Sequence, residues 1–309
     1  MKQFIKLVVL FFLVAGFEIA YGDVTSADIN ISEFNVGLSS RTNQLNWNIA
    51  GDLSGQNPNI LSELTWTDVK TIGLNLNARA IINNQFFATG LLSYGWIYQG
   101  ANQDSDYYGD NRTGEFSRSN NNASKGNTLD ASIALGYQFI KTDQWLISGF
   151  LGFSTHNQYL WITDGHQTVS TPSSFPVTIP PVGSTFPDLN SSYIASWAGP
   201  WVGVAADCQI TENLSVNCDF GYHMASYNGE GYWNLRPLTF YHSAQGNGIN
   251  LSLGINYELN DKWSAGLSLE SGNWSAGPGT DITYHVGITQ LNQVNWSFST
   301  ITLKAIHQL

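Results

Sequence analysis

Asp104-Ser105-Asp106-Tyr107, with Asp110 close behind, gathers three carboxylates into a short polar stretch. Three uses of such a stretch stay open. Acidic Asp/Asn/Gly segments are common solvated turns. Asp104, Asp106 and Asp110 also stand at positions 1, 3 and 7 of a loop, as hard oxygen ligands for a divalent cation would. The central glycine and terminal glutamate of an EF-hand are missing from it. The third use is a negative patch at the mouth of a channel, which favours cations. His156 and His166 flank Trp161 and Asp164 in a strand-to-loop region and read as surface or lumen histidines. The sequence has no glycine-rich phosphate loop, no His-Glu-x-x-His and no Gly-x-Ser-x-Gly.

Cys208 and Cys218 are equidistant from Asn213. A symmetric hairpin centred there would oppose them with Cβ atoms ~4.5–5.5 Å apart, whereas a disulfide needs nearer ~3.8 Å. An oxidising compartment permits a bridge. Their lipid-facing parity and the strain of direct opposition argue against one, so a Cys208–Cys218 disulfide and two free thiols both stand.

The elements that must carry these residues are strands. Leu214, Val216, Cys218, Phe220 and Tyr222 alternate with Ser215, Asn217, Asp219, Gly221 and His223. Val202, Val204, Ala206, Cys208 and Ile210 do the same in the preceding segment, and Ile72, Leu74, Leu76 and Ala78 earlier on. Further alternating runs cover 249–257, 263–270 and 301–309. Successive side chains on a strand point to opposite faces, so each run has one apolar and one polar face. The connections alternate as well. Asn83-Asn84, Lys141-Thr142-Asp143, Thr211-Glu212-Asn213 and Asn260-Asp261-Lys262 are short, while 50–59, 101–126, 163–192, 233–245 and 275–286 are long and polar. Four short turns and five long loops join ten strands. The expected fold is all-β, a ten-stranded antiparallel transmembrane β-barrel with short periplasmic turns and surface-exposed loops.

Composition agrees. Charged residues are only 11% of the chain and aromatics 13%, where a soluble domain has about a quarter of its residues charged. Trp145, Trp161, Trp197, Trp201, Trp263, Trp274 and Trp296 lie close to strand ends, the place of an interfacial girdle. Inward positions are largely Gly, Ser, Asn and Ala, which implies a slim, wet lumen. Lys2 and Lys6, the apolar run Leu7 to Phe17 and Ala20-Tyr21-Gly22 form a signal-peptide pattern over 1–22, leaving 23–309 as the barrel domain. Eleven apolar residues make about 16 Å of helix, too short to cross a ~30 Å core. The net charge is −11, and the first 22 residues carry two Lys and one Glu, so the remainder stands at −12. That excludes the basic footprint of a nucleic-acid binder.

Residues 60–110 resemble the second and third strands of the omptins, the outer-membrane proteases. Leu61-Ser62-Glu63-Leu64-Thr65-Trp66 is similar to the start of the omptin second strand. The third strand, ending near Gly95-Trp96, leads to the Asp-x-Asp-aromatic motif at Asp104, Asp106 and Tyr107. The resemblance implies that an Asp/His pair should face this couple across the barrel mouth, with the His as base toward a water. At the matching place stands Gly229-Glu230-Gly231, with glycines where the two catalytic residues belong. A protease would then need His223 or His242 as a displaced base. Architecture and loop composition also resemble the Protochlamydia-type outer-membrane proteins, a family regarded as porins.

The expected function is therefore that of a non-enzymatic outer-membrane barrel. It is either a narrow porin-like channel or a surface-exposed binding or adhesin barrel. The alternative is an omptin-like endopeptidase using Asp104 and Asp106 with His223 as base. No cofactor is expected. The expected partners are outer-membrane lipid, including lipopolysaccharide, and an extracellular ligand or small solute.

Overall fold

A computed structural model describes residues 30–83, 85–172 and 178–309, and the expected signal segment lies outside them. Eleven antiparallel strands form one sheet: β1 (Asn30–Ile49), β2 (Ser62–Ile81), β3 (Phe86–Gly109), β4 (Thr113–Lys141), β5 (Trp145–Ser170), β6 (Thr185–Thr211), β7 (Leu214–Trp233), β8 (Leu238–Asn260), β9 (Trp263–Ala276), β10 (Gly279–Thr283) and β11 (Gly287–Gln308). Every strand but one pairs with the next in sequence, the exception being β9 with β10, and β1 pairs with β11, so the sheet closes. β9 and β10 occupy one wall position, both lying between β8 and β11 and parted by Gly277-Pro278. The ring is thus ten strands round. Closure leaves no sheet edge to protect along the ring.

The expected alternation sets the wall. Around one end of the ring the outward side chains are apolar and exposed: Val36 and Leu38, Ile72 and Leu74, Val202 and Val204, Leu251 and Leu253, Ile301 and Leu303. Their in-register neighbours keep the polar set inside, since a one-residue slip would invert every side chain. Short turns after β2, β4, β6 and β8 lie at this end, with the C-terminal strand end beside β1. No helix among the described residues is long and apolar enough to cross a membrane.

Segment 50–59 is the loop expected between β1 and β2, but much of the other long polar segments is strand. β3 continues to Gly109 and β4 begins at Thr113, so most of 101–126 is wall. β5 runs on to Ser170, and β7 and β8 extend to Trp233 and from Leu238. Amide ladders hold these extensions: Gln103 Nε2 donates to Asn120 Oδ1 at 3.0 Å, and Asn121 Nδ2 to Asn102 Oδ1 at 2.8 Å. Cross-strand polar pairs stabilise a ladder as apolar ones do, so Asn, Ser and Gly did not end the strands.

Three further expectations are corrected. The tryptophans divide: Trp145, Trp161 and Trp263 are exposed on the outside, whereas Trp197, Trp274 and Trp296 are buried within the ring. Trp201 also points inward, donating its indole N–H to Ser132 Oγ at 3.1 Å and stacking on His223. Large buried rings therefore occupy part of the lumen that was expected to be lined by small polar residues. The cysteines are not opposed, because Thr211 pairs with Leu214 and a bulge precedes it. Cys208 faces Val216, Cys218 faces Ala206, and both are free.

Candidate functional site

Asp104 and Asp106 sit on β3, paired with Leu64 and Ser62 of β2. Alternation from the buried Trp66 and Asn102 places both carboxylates on the inner wall near the rim, the end opposite the short turns. Burial pushes the Asp104 carboxyl up to about 8, helped by Asp106 beside it and opposed by Arg236 from the turn after β7. Burial raises Asp106 too, while a hydrogen bond with Ser62 and the Arg236 charge pull it down. Two carboxylates so close favour holding one proton between them. Asp110 is not with them. It stands at the hairpin tip, where its Oδ1 accepts from the Asn59 amide at 2.8 Å. Among the described residues no three His, Cys, Asp or Glu side chains come together as metal ligands.

The glycines that replace the expected catalytic pair are covered by aromatic side chains. A Cβ on Gly229 would lie 2.3 Å from the Tyr193 hydroxyl, and one on Gly231 would lie 2.0 Å from the Phe240 ring. Tyr193 and Phe240 are both buried, so neither position has room for an aspartate or histidine. His242, on β8, is the cross-strand partner of Gly229. Its Nδ1 lies 2.8 Å from the Tyr193 hydroxyl, which lies 2.5 Å from that of Tyr227. Its Nε2 lies 3.2 Å from Asp281 Oδ1, within ion-pair reach but not aligned as a hydrogen bond. Burial lowers the His242 pKa against the pull of Asp281 and raises Tyr193 far above the ordinary phenol value, so both groups are neutral at pH 7. Asp281 was not singled out by sequence. It lies in a stretch that read as loop, and its meeting with His242 depends on the β8–β10 register.

Ring contacts run from the acidic wall to the His242–Asp281 wall. Trp47 from β1 packs edge-on against His242 at 4.7 Å, and Trp66 from β2 stacks on Tyr193 from β6 at 5.2 Å. Trp197, Tyr227, Trp274 and Trp296 continue this layer. Rings from β1, β2, β6, β7, β8, β9 and β11 thus meet inside the barrel, and all are buried.

His223 belongs to the layer beneath. It lies 3.0 Å from Ser154 Oγ and against Trp201 and Trp274, away from the acidic wall. Next to it, Asp130 on β4 receives Arg41 from β1 at 2.7 Å and His156 Nδ1 at 3.0 Å. Arg41 also donates to Thr300 at 3.0 Å and lies over the Phe298 ring. β1 and β4 are not sheet neighbours, so this pair is a strut across the lumen. Sequence reasoning passed over it. Arg41 and Asp130 do lie on the inward parity of their strands, which was the available signal.

The closed ten-strand ring, apolar outside and polar to aromatic within, defines an outer-membrane β-barrel of omptin-like architecture. Residues 33–309 match the Protochlamydia outer membrane protein family, and the chain belongs to it. Among solved structures, the outer membrane protease OmpT of Escherichia coli shares the fold at a TM-score of 0.71 and 12% identity, over 92% of this chain and all 100% of that one. The translocator domain of the autotransporter NalP of Neisseria meningitidis aligns at a TM-score of 0.37 and 9% identity, over 100% of this chain and 97% of that one. The attachment invasion locus protein Ail of Yersinia pestis aligns at 0.29 and 12% identity, over 90% of this chain and 99% of that one. Neither of these two is near enough to carry detail over. No curated protein matches the sequence.

Proposed function

We propose that this protein is a sealed, non-catalytic surface barrel that acts through its rim. It spans the outer membrane with its short turns in the periplasm and its long strand ends outside the cell. One observation carries the reading: the aromatic layer of Trp47, Trp66, Tyr193, Trp197, Trp274 and Trp296 fills the barrel beneath the rim. It speaks against both competing readings. A channel needs a continuous wet path, and this layer of buried rings stands across it. A peptidase needs a base within water-bridged reach of Asp104 or Asp106. His223 lies in the layer beneath, and His242 is held by Tyr193 and Asp281 behind Trp47. The Asp104/Asp106 couple, facing Arg236, is then part of a polar recognition surface above the seal.

The test is cleavage of a mixed peptide library by the refolded barrel. Neither the natural chain nor its Asp104→Ala/Asp106→Ala variant should produce fragments above a no-protein control. Cleavage by the natural chain that disappears in the variant would restore the endopeptidase reading.

A further inference from the structure

The geometry points to a docking strip on the outer wall of the rim for a protein segment that carries apolar side chains beside lysine or arginine. The strip is read off cross-strand neighbours. Glu230 on β7 faces Tyr241 on β8, which faces Ile282 on β10, which faces Ile288 on β11. Tyr284 packs edge-on against Tyr241 at 5.6 Å, and Val286 completes the tip between β10 and β11. All are exposed, Val286 at 75% and Tyr284 at 54%. From 282 to 288 every second residue is large and apolar, the pattern of a lipid-facing strand.

Lipid does not reach it. Ile288 stands fifteen positions along β11 from Leu303, which is still in the outward apolar belt. At ~3.3 Å per residue and a tilt near ~45°, that is about 35 Å of height, against an apolar band of about 25 Å. An apolar cluster held clear of the membrane marks a contact surface for another molecule.

Charge says what kind of molecule. Glu230 flanks the strip, with its Oε1 accepting from the Tyr241 hydroxyl at 3.4 Å. Between Arg236 and Lys304 the sequence holds a single Lys or Arg, Lys262, and that one lies in the turn after β8 at the opposite end of the barrel. No fixed cation of β8, β10 or β11 therefore stands near the strip, and Arg236, in the turn after β7, has its charge set against Asp104 and Asp106. Steering by a one-sign surface favours an opposite-sign partner and falls with salt.

This inference rests on the sealed surface-barrel reading, and one preparation separates the two. The refolded full chain is titrated with a fluorescent synthetic peptide of alternating Val and Lys, and with its Val/Glu counterpart. The Val/Lys peptide should bind and the Val/Glu peptide should not. Ile282→Ser/Val286→Ser/Ile288→Ser should weaken binding about tenfold or more. Glu230→Gln, which keeps the shape of the side chain, should weaken it by roughly threefold and flatten its salt dependence. Equal binding of both peptides, or binding unchanged in both variants, overturns the strip. So does adsorption to phosphatidylcholine vesicles, or self-association, that the triple variant abolishes, since the strip would then serve a membrane or a second copy. Ionic current through a barrel that still binds at the strip would sink the seal and leave the strip standing.

Discussion

Trp197→Ala should cost the barrel about 3–5 kcal/mol of stability, the usual range for removing a buried tryptophan. Trp197 is fully buried, with ring centroids 4.6 Å from Tyr227, 5.8 Å from Trp274 and 6.3 Å from Trp296. Its indole nitrogen has no hydrogen-bond partner among the described residues, so the loss is one of packing. Its neighbours come from three other strands and cannot close over the void together. Trp161→Ala is the control. Trp161 is 39% exposed on the outer wall and should cost less than half as much. Denaturant titration of both variants in lipid vesicles checks this, with unfolding followed by loss of the heat-modifiable gel shift. Equal costs would mean that the lumen layer is not packed as described.

Asp130→Ala should cost a similar ~3–5 kcal/mol, for a different reason. It strands the Arg41 guanidinium, whose side chain is only 11% exposed, without its ion-pair partner, leaving the charge of Glu270 on β9 as the carboxylate that still acts on it. Thr300 and the face of Phe298 also remain, but neither replaces the hydrogen-bonded carboxylate that is lost. The double change Arg41→Met/Asp130→Leu removes both charges and should regain most of the loss, because a buried ion pair gives little net stability over apolar residues of like size. The rim pair Arg112–Glu63 is a useful contrast: it is partly exposed, and breaking it should cost about 1 kcal/mol or less. The same denaturant titration compares all three. A single variant as stable as the natural chain would show that the strut bears no burden.

Much of the wall was legible because strand periodicity is local. The two-residue alternation from 202 to 222 and from 249 to 270 gave strand identity, and the short polar turns gave the ring count. The reach of the strands was not legible. Residues such as Asn120, Asn121 and Asn122 have the composition of a loop, and only their pairing with Asn102 and Gln103 makes them wall. Parity held more than nearness to a strand end could tell. Trp274 and Trp296 have even numbers on strands whose outward positions are odd, and Trp197 has an odd number on a strand whose outward positions are even. Counting from the apolar belt would have put all three inside. The cysteine opposition is missed by two positions: Thr211 pairs with Leu214, which centres the turn between Glu212 and Asn213, and the shift between Gln209 and Thr211 adds one more.

The candidate site was half legible. The resemblance over 60–110 singled out Asp104 and Asp106 at the barrel mouth, in a stretch that read as loop, and it identified Gly229 and Gly231 as the departures. Nothing local to those glycines announces that Tyr193 and Phe240, from β6 and β8, cover them. His242 and Asp281 meet only because β10 restarts the ladder after Gly277-Pro278. Long-range pairing of this kind is decided by closure of the ring rather than by any segment on its own.

The measurement that bears most directly on the sealed barrel is ionic current across a planar bilayer holding the refolded chain. Insertion is established separately, by protease protection and the gel shift. Inserted barrels should give no discrete current steps at any voltage the bilayer withstands. Reproducible steps from the natural chain would contradict the seal and return the protein to the channels.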